Sequence, residues 1–326
     1  MISVVIPNYN GGEVLPRCLG ALQGQTIKNV EVILVDNGSA DDSLETARRL
    51  WPGIKVISFS QNRGFAAAVN AGIKAAAGRY VALLNNDVEP EPEWLAELCR
   101  ELDKHPGAFG VGSKLLLDPE RDRINVVGIK LKPYAESSSI GSGQKDRGQF
   151  DRPGEVFGIS AGAALFRREV FEEVGLFDED FFAYLEDVDL CFRARLLGYS
   201  FRYAPSARAY HLKGWTTRNK MNKAFEIRQN ARNTLYYQVK NIPAETWRKV
   251  RARLIIRHLE LFFRHTVQHL HKGEALPYLS GQLEFMSRIR KVRDKRRQVQ
   301  AQKKAPDQTI TAWLGREVLA DQDPVS

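Results

Sequence analysis

Three observations predict an α/β fold: a doubly wound, mostly parallel sheet followed by a C-terminal helical extension. Short apolar runs alternate with helical patterns through the first half, each run ends in a polar cluster, and the last third turns to long basic helical patterns. Alternating strand and helix is the signature of crossover connections between parallel strands.

The elements follow in order. "ISVVIP" reads as a strand, "EVLPRCLGALQ" as a helix and "VEVILV" as a strand. "SLETARRL" reads as a helix opened by Ser39 with Asp42 three residues on. "IKVISF", "AAAVNAGIKAAA", "YVALL" and "PEWLAELCRELDK" continue the alternation as strand, helix, strand and helix. After residue 108 the pattern turns to β and irregular structure, with "FGVGSKLLL" and "INVVGIKLK" as single strands. The polar, glycine-rich stretch 136–154 reads as a mobile loop or lid. "EVFGISAGAALFRR", the acidic "LFDEDFFAYLEDVDLCFRARLLG", and a closing pair "YSFRYAP" and "ARAYHL" come next. Three helical patterns then cover roughly 221–240, 244–271 and 276–300. This divides the chain into a domain over 1–216, a basic helical extension over 217–305, and a polar tail over 306–326 that reads as disordered. No internal repeat is evident.

The totals exclude several classes. With 326 residues and 43% hydrophobic content the chain buries an ordinary globular core. Its longest charge-free stretch is about a dozen residues, short of the roughly 20 that span a bilayer. Pro7, Asn8, Asn10 and Gly11 interrupt the N-terminus where a secretory signal needs an apolar core, so the reading places the chain in the cytoplasm. Three dispersed cysteines without CxxC spacing fit reduced thiols. Residues 1–216 hold 25 Lys and Arg against 29 Asp and Glu, whereas 217–326 hold 23 against 10. Such asymmetry suggests a separate duty for the last third, with an anionic membrane surface or nucleic acid as partner.

In doubly wound sheets ligands gather beyond the carboxyl ends of the strands. Here those ends carry "PNYNGG", "DNGSADDS", "QNRG" and "NNDVEP". No GxxxxGK[ST] occurs, and no GxGxxG follows the first strand. Asp36 suits a ribose hydroxyl or a pyrimidine ring N–H, and equally suits turn and cap chemistry. Arg63 and Gly64 open a small-residue helix, offering an anion a guanidinium and free backbone N–H groups. Asp87 at a strand tip suits Mg²⁺ or Mn²⁺ bridging two phosphates. In the acidic run, Asp189 reads as helix capping. The aromatic residues before Glu186 and Asp187 set an apolar wall against them, which raises carboxylate pKa values and makes Asp187 a candidate base. His211 stands alone, and a lone His is more often structural than a ligand. His258, His265, His269 and His271 fit no single face and read as a polar surface.

Six ordered blocks, "SVVIPNYNGG", "VILVDNGSADDS", "NRGFAAAVNAGI", "YVALLNNDVEP", "SAGAALFRREVFEEVGLFDEDFFAYLEDVDLCFRARLLGY" and "AYHLKG", closely resemble glycosyltransferase family 2, inverting nucleotide-sugar enzymes of the GT-A fold. They cover about residues 1–215. The acidic block together with "IRQNARNTLYYQVKN" resembles the bacterial branch that includes rhamnosyltransferases of cell-surface polysaccharide synthesis. The resemblance implies that Pro7 and Tyr9 flank the base, Asp36 accepts its ring N–H, and Arg63 sits near the nucleotide. It implies that Asn85 and Asp87 form the metal motif, although Asn85 stands where an Asp is usual. It further implies that Asp187 is the general base, that Gly162 lines the donor sugar or acceptor, and that His211 is a further metal ligand.

The implied reaction moves a sugar from a dTDP- or UDP-sugar to a hydroxyl of a glycan or lipid-linked saccharide, with Mg²⁺ or Mn²⁺ and inversion. The competing readings are a nucleotidyltransferase and a nucleic-acid-binding protein. Against the first, "NYNGGEV" lacks the basic residue such a loop carries. Against the second, "RARLIIRHLELFF" interleaves charge with broad apolar surface, as an interfacial helix does. The expected partner is therefore an anionic membrane surface and no nucleic acid.

Overall fold

The structure is a computed structural model that describes residues 1–212, 223–268 and 272–319. The alternating half forms as the pattern predicts. Strands β1 (Ile2–Asn8), β2 (Val30–Asp36), β3 (Lys55–Ser58) and β4 (Tyr80–Leu84) lie parallel in the order β4-β1-β2-β3. They are joined by α1 (Leu15–Gln23), α2 (Ser43–Leu50) and α3 (Phe65–Ala75). Both faces are covered, so β1 reads as a continuous apolar run: Val4 and Ile6 join Leu15 and Trp94 on one side, and Val5 joins α3 on the other. The small residues of α3 allow close approach, since a Cβ at Gly72 would lie 2.2 Å from Val5 Cγ1. Helix α4 (Trp94–Asp103) closes the first layer.

The ten-stranded sheet continues beyond β4. After the short β5 (Val88–Pro90), β6 (Ala108–Leu117) is separated from β4 by β11 (Ala163–Arg167), which is antiparallel to both. The expected closing pair is one bulged strand, β12 (Ser200–His211), whose register against β6 shifts between Ala204 and Arg208. "INVVGIKLK" is not one strand. It splits at Val127 and Gly128 into β7 (Ile124–Val126), which pairs with β6, and β8 (Ile129–Leu131), which pairs with β9 (Ser137–Ser139) in a separate two-stranded sheet. Strand β10 (Gly154–Val156) ends the large sheet beside β12.

Other expectations also change. Helix α2 starts at Ser43, not Ser39; the Ser39 hydroxyl instead accepts from Asn8 Nδ2 and from the Asn10 backbone N–H. The 136–154 stretch is not a free lid. Lys114, buried in β6, holds Asp146 at 3.0 Å and also pairs with Asp151, while Phe150 and Ile140 are buried. An ammonium there requires those carboxylates, because an unpaired buried charge is costly.

The last third packs on the body. Beyond α5 (Val170–Val174) and α6 (Glu186–Leu196) come α7 (Lys223–Asn241) and α8 (Ala244–Phe263), the latter extended by a π turn over Arg264–Gln268. The pattern over 276–300 is two helices, α9 (Ala275–Ser287) and α10 (Ile289–Gln302), broken at Arg288. The described part of the tail departs from the disorder expected of it. Ile310 of α11 (Gln308–Thr311) and Trp313 are buried, and the Trp313 ring meets Phe157 edge-on at 6.1 Å. These two side chains supply the apolar area that the polar composition hid. No described helix is long and apolar enough to cross a membrane.

Candidate active site

The tips of the parallel strands are joined by asparagine side chains. Asn8 Nδ2 lies within hydrogen-bond distance of Asp36 Oδ1 (3.3 Å), Ser39 Oγ (3.2 Å) and Ser43 Oγ (2.9 Å), and Asn8 Oδ1 accepts from Asn86 Nδ2 at 2.8 Å. A Cβ at Gly11 would fall 2.2 Å from Asn86 Nδ2 and 2.3 Å from Asn8 Oδ1, so only glycine fits over that bond. Asn86, in the middle of "NND", therefore fixes the loop while its neighbours Asn85 and Asp87 take other directions. Pro7 and Tyr9 flank Asn8 and are half-buried.

Asp36 is buried and accepts from the Ser39 N–H at 3.3 Å as well as from Asn8, so its turn role is real and leaves a ligand role open. The free N–H groups expected at the start of α3 are taken. Arg63 N donates to Asn37 Oδ1 (2.8 Å), Gly64 N to Asn62 Oδ1 (2.9 Å), and Phe65 N to the Phe182 carbonyl (2.6 Å). Gly64 has φ +89°, and a Cβ there would lie 2.5 Å from that same oxygen. The Arg63 guanidinium alone stays half-exposed, over Phe59 and 3.6 Å from Glu179.

Asp87 and His211 meet. β12 pairs with β5 so that His211 lies opposite Val88, which sets His211 Nε2 3.2 Å from Asp87 Oδ1. On the far side of the ring, Nδ1 lies 2.8 Å from Asn125 Oδ1. The ring thus bridges Asp87 and Asn125, and its Nε2, beside the Asp87 carboxylate, is a nitrogen able to serve as a metal donor. Asn85 Oδ1, buried and without a hydrogen-bond partner, is a further hard donor, and its backbone N–H donates to the Gly162 carbonyl at 2.9 Å. Carboxylate, imidazole and amide oxygen fit Mg²⁺ or Mn²⁺. Among the described residues no third His, Cys, Asp or Glu joins them.

Asp187 stands on the first turn of α6, and the Ala161–Gly162 backbone links it to this group. Asp187 Oδ2 accepts from the Ala161 N–H at 3.4 Å and Oδ1 from the Val188 N–H at 2.8 Å. A Cβ on buried Gly162 would lie 3.2 Å from Asn85 Nδ2. Burial pushes the Asp187 carboxyl up to about 6, the N–H donors holding it back. Glu186 is raised well above its usual range, first by burial and then by Asp187 beside it, and its Oε2 has no hydrogen-bond partner. Two adjacent carboxyls ionise together only at high cost, so the more buried Glu186 keeps the proton and Asp187 is free to accept one.

Asp189 is not a cap. Its carboxylate is buried against Lys240, Asn241 and Arg193. Asp178 and Asp180, N-terminal to α6, pair with Lys240, Lys291 and Lys295. Burial would raise Asp178, but Lys240 and Lys295 outweigh it and hold the carboxyl far below its usual range. His258 meets Gln238 Oε1 at 2.9 Å, and His265 stacks on Tyr278 and pairs with Glu274. His269, His271, Lys213 and Gly214 lie outside the described residues. Asn8, Asn37, Asn62 and Asn86 escaped sequence reasoning, although an Asn recurs at every one of the four parallel strand ends.

Residues 3–175 match the profile of Glycosyl transferase family 2. An N-acetylglucosaminyl-diphospho-decaprenol L-rhamnosyltransferase of Mycobacterium tuberculosis is 29% identical over 242 residues, 67% of this chain and 78% of that protein. An uncharacterised protein of Sinorhizobium fredii is 30% identical over 221 residues, 65% of this chain but only 24% of its own length. In structure, a mannosyltransferase of Pyrobaculum calidifontis in complex with GDP-Man and Mn²⁺ superimposes with a TM-score of 0.54 at 16% identity, covering 95% of this chain and 85% of that one.

Proposed function

Because the chain belongs to glycosyl transferase family 2, we propose that it is an inverting enzyme moving a sugar from a dTDP- or UDP-sugar to a hydroxyl of a glycan or lipid-linked saccharide, in cell-surface polysaccharide synthesis. The observation that carries this reading is the Ala161–Gly162 turn, which touches Asp187 through one backbone N–H and Asn85 through the next residue's carbonyl. It sets a proton acceptor one turn away from a diphosphate-side donor set. Pro7, Tyr9, Asp36 and Arg63 bind the nucleotide, and Gly162 leaves room at the sugar. Asp87, His211 and Asn85 hold Mg²⁺ or Mn²⁺, which when bound offsets charge on the leaving diphosphate. Asp187 takes the proton of the attacking acceptor hydroxyl from the face opposite the leaving group, giving inversion.

A hydrolysis screen of purified protein against nucleotide sugars with Mg²⁺ or Mn²⁺ tests the reading. Release of a nucleoside diphosphate from a dTDP- or UDP-sugar is expected, and no binding or release with any donor would overturn it. The pH dependence follows from Asp187. The working form is the carboxylate, so transfer is expected to fall about tenfold per pH unit below about 6 and to level off above it. A profile flat down to pH 4 would exclude Asp187 as the base.

We further propose that the enzyme works from the cytoplasm on an anionic membrane surface, reached through α8 and α9. Ile255, Ile256, Leu259, Phe262, Phe263 and Val267 recur at helical spacing and are all about half-exposed or more. Exposed Arg251 and Arg253 precede them. Apolar residues beside exposed arginines match an anionic bilayer better than a neutral protein surface. Each basic residue near such lipid contributes about 1 kcal/mol, screened by salt. Pelleting with anionic vesicles at low salt, largely reversed by high salt and lost in Phe262→Ser/Phe263→Ser, is the expected result. Failure to pellet with anionic vesicles, a salt-sensitive complex with duplex DNA, or a dimer in solution that buries these residues would refute it.

A further inference from the structure

The acidic block that carries Asp187 is held from outside the catalytic body. Its approach, residues 181–185, contains three non-glycine residues at positive φ: Phe182 (61°), Tyr184 (69°) and Leu185 (67°). Left-handed backbone at bulky residues is strained and persists only where the surroundings enforce it. The main enforcing groups come from α7. Asn233 of α7, fully buried, directs its Nδ2 at the carbonyls of Phe181 (3.1 Å), Ala183 (2.8 Å) and Tyr184 (2.7 Å). Arg232 supports it from the same helix: its Nη2 donates to the Phe181 carbonyl at 2.7 Å, and its Nε donates to Asn233 Oδ1 at 2.8 Å, orienting the amide. On the other side of the loop the Phe182 carbonyl accepts from Phe65 N.

We infer that Asn233 is a positioning residue for the transfer step: with its two N–H groups shared among the carbonyls of Phe181, Ala183 and Tyr184, it fixes the loop that aims Asp187 at the acceptor. The inference rests on the reading of Asp187 as the base. A carbonyl cluster of this kind needs N–H donors of fixed direction, which an amide supplies and an aliphatic side chain does not. Asn233 hydrogen-bonds the loop and Arg232 rather than Asp36, Asp87 or Asn85, so its loss is expected to fall on the transfer step more than on donor binding. Its loss displaces Asp187 relative to a bound acceptor, and a shift of about 1 Å at a reacting group costs about 100-fold in rate.

The test is a set of substitutions read by kcat and donor KM together. Asn233→Ala is expected to lower kcat by roughly 10- to 100-fold while donor KM stays within about twofold. Tyr237→Phe, on the same helix but bonded to Ser137 and Ala135, is expected to keep kcat and so separates local aim from loosening of α7. The double variant Asn233→Ala/Asp187→Asn is expected to be no worse than Asp187→Asn alone, because a misaimed base and an absent one cost the same step. Unchanged kcat in Asn233→Ala, or losses that multiply in the double variant, would overturn the inference. Should Asn233→Ala fail to fold, Asn233→Ser keeps one short donor and is read by the same two criteria. Full activity in Asp187→Asn would instead remove the base assignment itself, a failure distinct from this one.

Discussion

Asp187→Asn is expected to bind donor as the parent does and to lose transfer by about 10²- to 10⁴-fold, the usual contribution of a general base. The amide keeps the shape and one acceptor oxygen, so one of the Ala161 and Val188 N–H groups stays bonded, but it cannot take up a proton at neutral pH. Neighbouring Glu186 does not substitute, because burial keeps it protonated. One oxygen now serves two N–H groups, so a small loss of stability is expected, and thermal unfolding separates it from the loss of transfer. Turnover near the parent's level would dismiss Asp187 from the step.

Asp87→Ala is expected to abolish most of the metal-dependent part of donor affinity. Loss of an outer partner of a metal ligand alone costs about 10- to 100-fold, and a ligand carboxylate should cost at least that. His211 and the neutral Asn85 amide remain, but neither restores the charge. Calorimetry of the nucleotide sugar with and without Mn²⁺ measures this directly, and the nucleoside alone should bind equally well to both proteins. An unchanged metal-dependent affinity would show that Asp87 is not a ligand.

What was legible before the structure is what repeats with a period. The parallel strands and their helices follow from apolar runs buried on both faces, and the polar ends of those runs mark where ligands gather. What escaped depends on single side chains reaching across long sequence separations. Asn233 lies 49 to 52 residues from the carbonyls it binds, and nothing in its own neighbourhood marks it. Lys114 sits within an apolar strand pattern, and its pairing with Asp146 and Asp151 is one of the contacts that hold the glycine-rich stretch down. The start of α3 is a similar case. A helix N-terminus looks open to an anion in sequence, yet Asn37, Asn62 and the Phe182 carbonyl had already claimed its N–H groups. Part of the charge asymmetry is internal, since Lys240, Lys291 and Lys295 answer carboxylates of the acidic block.

That cross-linking bears on modularity. A cut near residue 216 looks like a clean seam between a catalytic unit and an accessory one. The bonds run the other way: Asn233, Lys240 and Lys295 on one side of the cut belong with residues 178–189 on the other. A chimera that grafts the last third of a relative onto this body therefore has to carry the relative's acidic block with it. In this protein the unit of exchange is the acidic block together with α7 and α10.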